Sequence, residues 1–156
     1  PGKGALGGLY TALAAARGER VLVVGCDMPF VNRTMLLRML AVMETEGADV
    51  VIPETENGLE PLHAVYRRAA CLPAVERALA REQRRMIAWF PEVRVRVFGQ
   101  DEVAAEDPQG WAFLNVNTPE EFAEAQAQAL QLDGCSEDTE SASEKQGKPH
   151  KRSGCV

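Results

Sequence analysis

What this sequence is short of narrows its roles before any motif is read. No apolar run approaches the length of a membrane-spanning helix, so no membrane partner is expected. Positive charge is in deficit. The 17 Lys and Arg face 23 Asp and Glu, a net charge of −6, which argues against a general nucleic-acid binder and its basic footprint. The four cysteines, Cys26, Cys71, Cys135 and Cys155, form no C-x-x-C pair and predict neither a metal site nor a disulfide framework. Cys26 reads as a buried core thiol, and a reducing cytoplasm is the default location. An initiating methionine is also missing. Pro1 leads straight into glycine-rich sequence, so a chain without its front end is the expectation.

What is present is one domain's worth of apolar sequence. Apolar residues make up 46% of the 156, concentrated in residues 1–132, while 133–156 is nearly all Ser, Glu, Lys, Gly and Thr. A domain over 1–132 and a disordered polar tail over 133–156 follow. Leu6, Leu9, Tyr10 and Leu13 recur at helical spacing over 5–17, with Gly18 as a stop. Val21–Val24 reads as a fully buried parallel strand. Asn32 caps a helix over 33–46, ended by Gly47, whose Met35, Met39 and Met43 stripe reads as core filling rather than a binding surface.

A strand over 48–52 is expected to stop at Pro53, with a turn over 54–59. Two helices over 61–69 and 73–82 follow, then a basic stretch, 81–85, read as a solvated face with an anion contact as the alternative. A short helix over 86–90, an alternating strand over 93–97, an acidic loop over 99–110 and a strand over 112–116 come next. Thr118-Pro119 opens the last helix, running to about Leu130. Strands alternating with helices predict an α/β domain with a mostly parallel sheet.

Four segments carry candidate chemistry. Asp27 ends the strand Val21–Val24 and precedes Met28-Pro29, where α/β sheets bind ligands. It can hold a divalent cation against phosphate, or simply cap the next helix. Gly2-Lys3-Gly4-Ala5-Leu6-Gly7 matches G-x-G-x-x-G, and Asp27 lies 20 residues beyond Gly7, the spacing of a nicotinamide-dinucleotide fingerprint; that fingerprint must follow a strand, and nothing before Gly2 supplies one. Gly7 and Gly8 either open the backbone to a nucleotide or let the helix pack tightly on the sheet. Glu60-Pro61 reads as a helix start, with Pro61 at the first position, and His63 as a structural or surface histidine rather than a ligand. Asn115 and Asn117 place two amides on alternate strand residues, suited to phosphate or carbonyl oxygens, although Asn117 or Thr118 can equally be a cap.

Together, Gly4-Ala5-Leu6-Gly7-Gly8-Leu9-Tyr10-Thr11-Ala12-Leu13, Cys26-Asp27-Met28-Pro29-Phe30, Glu60-Pro61-Leu62-His63-Ala64-Val65-Tyr66 and Phe113-Leu114-Asn115-Val116-Asn117-Thr118-Pro119-Glu120-Glu121 resemble the molybdenum cofactor guanylyltransferase family over about residues 1–130. The resemblance implies a three-layer, Rossmann-like nucleotidyltransferase domain that adds GMP from GTP to molybdopterin and releases pyrophosphate. It implies Asp27 as the Mg2+ and GTP contact, Gly4, Gly7 and Gly8 near the nucleotide, and Asn115, Asn117, Glu60 and Pro61 on the molybdopterin side. No covalent nucleophile is implied, and contact with molybdoenzyme maturation proteins is a further expectation.

The family's opening strand and its glycine-rich, triphosphate-cradling loop have no counterpart here, nor do the downstream residues that recognise guanine. The resemblance therefore implies the carboxyl-terminal part of a transferase, unstable or inactive alone, with an unpaired edge beside Val21–Val24. An NAD(P)-binding oxidoreductase fragment and a non-catalytic fragment needing a partner are the alternatives.

Overall fold

The computed structural model describes residues 4–136, with the backbone alone at 129 and 131–136. Two compact units divide the chain, one ending at Asn115 and the other beginning at Val116. The tail expected over 133–156 lies outside the described residues from 137 onward, as do Gly2 and Lys3 at the front.

The first unit is a three-layer α/β domain. Its elements run α1 (Gly4–Ala15), β1 (Arg20–Val24), α2 (Arg33–Glu46), β2 (Val50–Thr55), β3 (Gly58–Leu59), β4 (His63–Arg67), α3 (Arg68–Ala80), β5 (Val95–Phe98) and α4 (Gln100–Glu106). β4 pairs antiparallel with β1 on one side and β2 on the other, and β5 joins β2 in parallel. β1, β2 and β5 therefore point one way, and β4 is the reversed strand among them.

Strand alternation sends side chains to two separate cores. Val50, Ile52, Ala64 and Tyr66 pack with Leu6, Leu9 and Leu13 of α1 and with Cys71, Ala74, Val75 and Ala78 of α3. Val51 and Val65 face the other way, onto Met35, Met39 and Met43 of α2 and Val103 of α4. The methionine stripe is thus core, as its period indicates.

The second helix begins and ends where its caps direct. Asn32 Oδ1 accepts the Met35 N–H at 2.9 Å, and Gly47 closes the helix with φ +65°, a left-handed value that favours glycine. The same Asn32 side chain donates through Nδ2 to the Glu106 carbonyl at 2.8 Å, tying α2 to the end of α4. Asn32→Ala removes both bonds, and we expect it to lower stability by about 1–2 kcal/mol, read as a fall in the urea midpoint at unchanged slope.

Several expected elements are corrected. Residues 63–67 are a strand, not part of a helix over 61–69. Pro61 instead takes the second position of a turn closed by His63 N–H to the Glu60 carbonyl at 3.0 Å, a place where a fixed φ and a missing N–H suit proline as well as they suit a helix start. One helix spans Arg68–Ala80 with Pro73 inside it, where two were expected.

Pro53 does not stop β2. Pairing with β4 has ended at Val51, so no ladder partner needs the absent N–H, and the strand continues to a β2–β3 hairpin at Thr55↔Gly58. The 99–110 segment contains α4, in which Glu102 reaches back to the Gly99 N–H at 2.9 Å. Residues 86–90 lead into a short 3-10 turn at Phe90–Glu92 rather than forming a helix, and 112–116 is a 3-10 turn at Trp111–Phe113 followed by irregular chain rather than a strand. β1 is half-exposed, with Leu22 at 45%, because β4 is its only strand partner among the described residues. Cys26 is exposed, since the chain leaves the sheet before reaching it.

The second unit contains α5 (Pro119–Ser136), which continues past the Leu130 expected as its end. Thr118 Oγ1 accepts the Glu121 N–H at 3.1 Å, while Glu121 Oε2 accepts the N–H groups of Asn117 and Thr118 at 2.7 and 3.1 Å. This reciprocal cap assigns the capping role to Thr118.

Candidate functional site

Because β4 runs against its neighbours, its first residues lie where β1 ends; His63 pairs with Val24. The carboxyl end of the parallel strands therefore gathers the turn after β1, the turn before β4, the β2–β3 hairpin and the start of α4. This is the end at which open α/β sheets bind ligands.

Asp27 sits in the tight turn that finishes β1, closed by Met28 N–H to the Gly25 carbonyl at 3.1 Å. The turn is braced from several sides. Gly25 N–H donates to the Leu62 carbonyl at 2.6 Å, Met28 is buried, and the Phe30 ring tilts against Trp111 at 5.5 Å. Asp27 itself stays partly exposed. A single open carboxylate fits Mg2+, which keeps several waters and takes one or two carboxylates plus substrate phosphates. Among the described residues no group of three or more His, Cys, Asp or Glu forms an all-protein metal cage.

Glu60 and Pro61 stand across from Asp27 through the Gly25–Leu62 bond. Glu60 Oε1 accepts from the Thr55 hydroxyl at 3.2 Å, and the Pro61 carbonyl accepts from the buried Tyr66 hydroxyl at 2.6 Å. Burial in the apolar core pushes that phenol far above its ordinary pKa, so it stays a hydrogen-bond donor at any working pH. Pro61 thus contributes a carbonyl already engaged by the core, and Glu60 a carboxylate held on the hairpin.

Gly4, Gly7 and Gly8 occupy the first turns of α1. The other end of that helix is fixed near the start of α3, where Arg68 Nε donates to the Leu13 carbonyl at 2.9 Å, beside the end of β4. The glycines accordingly face the same end of the sheet as Asp27. Gly4 adopts φ +59°, and a Cβ added at Gly4 or Gly8 would meet nothing within 4 Å. Tight packing on the sheet therefore explains neither of these two. An exposed helix start with unpaired N–H groups is an anion-binding feature.

Sequence reasoning missed the cleft beside this site. It encloses about 630 Å³ between the β2–β3 hairpin, α4 and the loop leading to Phe113 and Leu114. Glu54, Glu56, Asp101 and Asp107 line it. Asp107 is committed to structure, its carboxylate accepting the Trp111 and Ala112 N–H groups at 3.2 and 2.8 Å. Such a wall repels triphosphate and suits a ligand edge rich in N–H donors. The signal that could have found α4 was Gly99 followed by Asp101-Glu102, an acidic first turn three residues before an apolar one.

His63 is fully buried with its ring 5.0 Å from Phe113, and neither ring nitrogen has a hydrogen-bond partner among the described residues. Burial lowers its pKa, with the Asp107 carboxylate acting the other way, so the ring is neutral at pH 7. Asn115 is exposed immediately after the cleft residue Leu114. Asn117 belongs to the second unit, where its side chain is also exposed.

A family model described as a MobA-like NTP transferase domain matches residues 1–96. A molybdenum cofactor guanylyltransferase from Desulfosudis oleivorans is 35% identical over 125 residues, covering 80% of this chain and 61% of the relative. A protein from Pelotomaculum thermopropionicum named as a probable molybdenum cofactor guanylyltransferase is 36% identical over 128 residues, covering 82% of this chain and 61% of the relative. The crystal structure of molybdopterin-guanine dinucleotide biosynthesis protein A from Archaeoglobus fulgidus superposes with a TM-score of 0.69 at 26% identity, covering 82% of this chain and 64% of that one. The chain spans about three fifths of the length of the curated relatives it matches.

Proposed function

Since this chain belongs to the MobA-like NTP transferase family, we propose that it takes part in transferring GMP from GTP to molybdopterin. A terminal phosphate oxygen of molybdopterin attacks the α-phosphorus of GTP, the bond from that phosphorus to the β-phosphate oxygen breaks, and pyrophosphate leaves. Asp27 holds Mg2+ in this reading, which when bound lends positive charge to the phosphate oxygens as a Lewis acid.

The observation that carries the reading is the position of Asp27, on a braced turn at the carboxyl end of β1, sharing that end with the glycine-bearing start of α1 and the Glu60-Pro61 turn. The bare surface at Gly4, Gly7 and Gly8 lets the nucleotide phosphates approach the opening N–H groups of α1. Glu60, Pro61 and Asn115 serve the acceptor, and the acidic cleft suits the N–H-bearing edge of a pterin rather than a triphosphate. Asn117, an exposed neutral amide in the second unit, is assigned to the acceptor by the family resemblance alone, and Thr118 rather than Asn117 caps α5. Transfer of this kind needs two anions aligned and developing charge neutralised, and no covalent nucleophile.

Calorimetric titration separates this reading from a nicotinamide-binding one. GTP should bind weakly, since the family's triphosphate-cradling loop has no counterpart here, with heat that strengthens when Mg2+ is added, and NADPH should give none. NADPH binding as tight as GTP, unaffected by Mg2+, would overturn the proposal.

A further inference from the structure

We propose that Gly25 is a positioning residue for Asp27, its missing side chain leaving the space the Asp27 carboxylate occupies. The inference rests on the reading of Asp27 as a metal ligand and goes beyond it to the residue that aims the carboxylate. A Cβ built on Gly25 would lie 2.6 Å from Asp27 Oδ1, while its next neighbours, Cγ and Sδ of Met28, would stand at an ordinary 3.6 Å.

Neither of the usual reasons for glycine applies at this position. Gly25 is not among the glycines with positive φ, so its backbone is open to any residue. Apart from the Asp27 oxygen, the added carbon's nearest contacts beyond its chain neighbours stand at 3.6 Å, so packing does not demand glycine either.

The backbone at Gly25 cannot retreat to make room. Its N–H is held by the Leu62 carbonyl at 2.6 Å and its carbonyl by the Met28 N–H at 3.1 Å, with Met28 anchored in the interior. The free end of the Asp27 side chain is what yields. Gly25→Ala therefore swings the carboxylate away from its place and leaves the turn standing. Ligands misplaced by about 1 Å lose on the order of a hundredfold in aligned chemistry, so a small displacement is enough to matter.

Mn2+ alone is the probe, followed by paramagnetic broadening of backbone amide signals in the 15N-labelled chain. In the wild type, signals of residues 25–28 should broaden at low Mn2+, and Asp27→Asn should abolish this. Gly25→Ala should need at least about tenfold more Mn2+ for the same broadening, with a melting temperature within about 2 °C of wild type. Cys26→Ala, which alters only an exposed side chain, should match the wild type.

In the Gly25→Ala background, Asp27→Glu should recover binding, because one more methylene carries the carboxylate past the new carbon. Wild-type broadening in Gly25→Ala, with Asp27→Asn still inactive, would remove Gly25's role and leave Asp27's intact. Equal broadening in wild type and Asp27→Asn would remove the metal reading itself, and the role of Gly25 with it. A Gly25→Ala chain that fails to fold would also overturn the proposal, since the added carbon is argued to displace only a side-chain end.

Discussion

Asp27→Asn should erase the magnesium-dependent part of GTP binding, a loss of about ten- to a hundredfold in affinity. The substitution keeps shape and hydrogen-bonding capacity but removes the charge that draws a divalent cation. Asp27 is partly exposed and the turn is closed by backbone bonds that do not involve its side chain. Thermal stability should therefore stay within about 2 °C of wild type. Titrating GTP with and without Mg2+ into both proteins makes the comparison. An affinity difference between plus and minus Mg2+ that survives in Asp27→Asn would place the metal elsewhere.

The largest loss of stability is expected from Trp89→Ala, about 3–5 kcal/mol against the 5–15 kcal/mol typical of a domain. Trp89 is fully buried in the core beneath α1 and α3. Its ring stands edge-on to Phe90 at 5.0 Å and tilted to Tyr66 at 6.0 Å, and its Nε1–H donates to the Met86 carbonyl at 2.8 Å. Alanine would leave a cavity of indole size in a segment without regular hydrogen bonding to hold it open. It would also loosen Tyr66, whose hydroxyl bonds the Pro61 carbonyl, so the disturbance reaches the site. Trp89→Phe, which keeps most of the volume, should lose less than half as much in the urea midpoint. Equal losses for the two variants would mean the indole N–H bond dominates over packing.

Legibility in the sequence followed the strength of local signals. Asn32, the methionine period and Gly47 each point to the same helix, and α2 lies where they indicate. Val21–Val24 declares a strand, but not that its partner would be an antiparallel one from 40 residues further on. Pro61 and the buried run His63–Tyr66 suit a turn and strand as well as a helix start, because a short apolar run has too few residues to display a period. At 112–116 the same ambiguity worked in reverse, with apolar residues packed by a 3-10 turn. Cys26 misled because thiols favour interiors, and here chain reversal overrides preference. For the site, the place of Asp27 just past the end of β1 was readable from the aliphatic run before it. The cleft was not, since its walls come from a hairpin and a helix that sequence read as turn and loop.

The reversed central strand also has a consequence during synthesis. β1 is complete at Val24, yet β4, its one strand partner among the described residues, spans His63–Arg67, so that partner emerges from the ribosome some 40 residues later. At about 5–20 residues per second, the β1–β4 pairing forms a few seconds after Val21, Leu22 and Val23 are made. Slowing translation over 25–62 should increase capture of the nascent chain by holdase chaperones, and cooler expression should raise the folded yield.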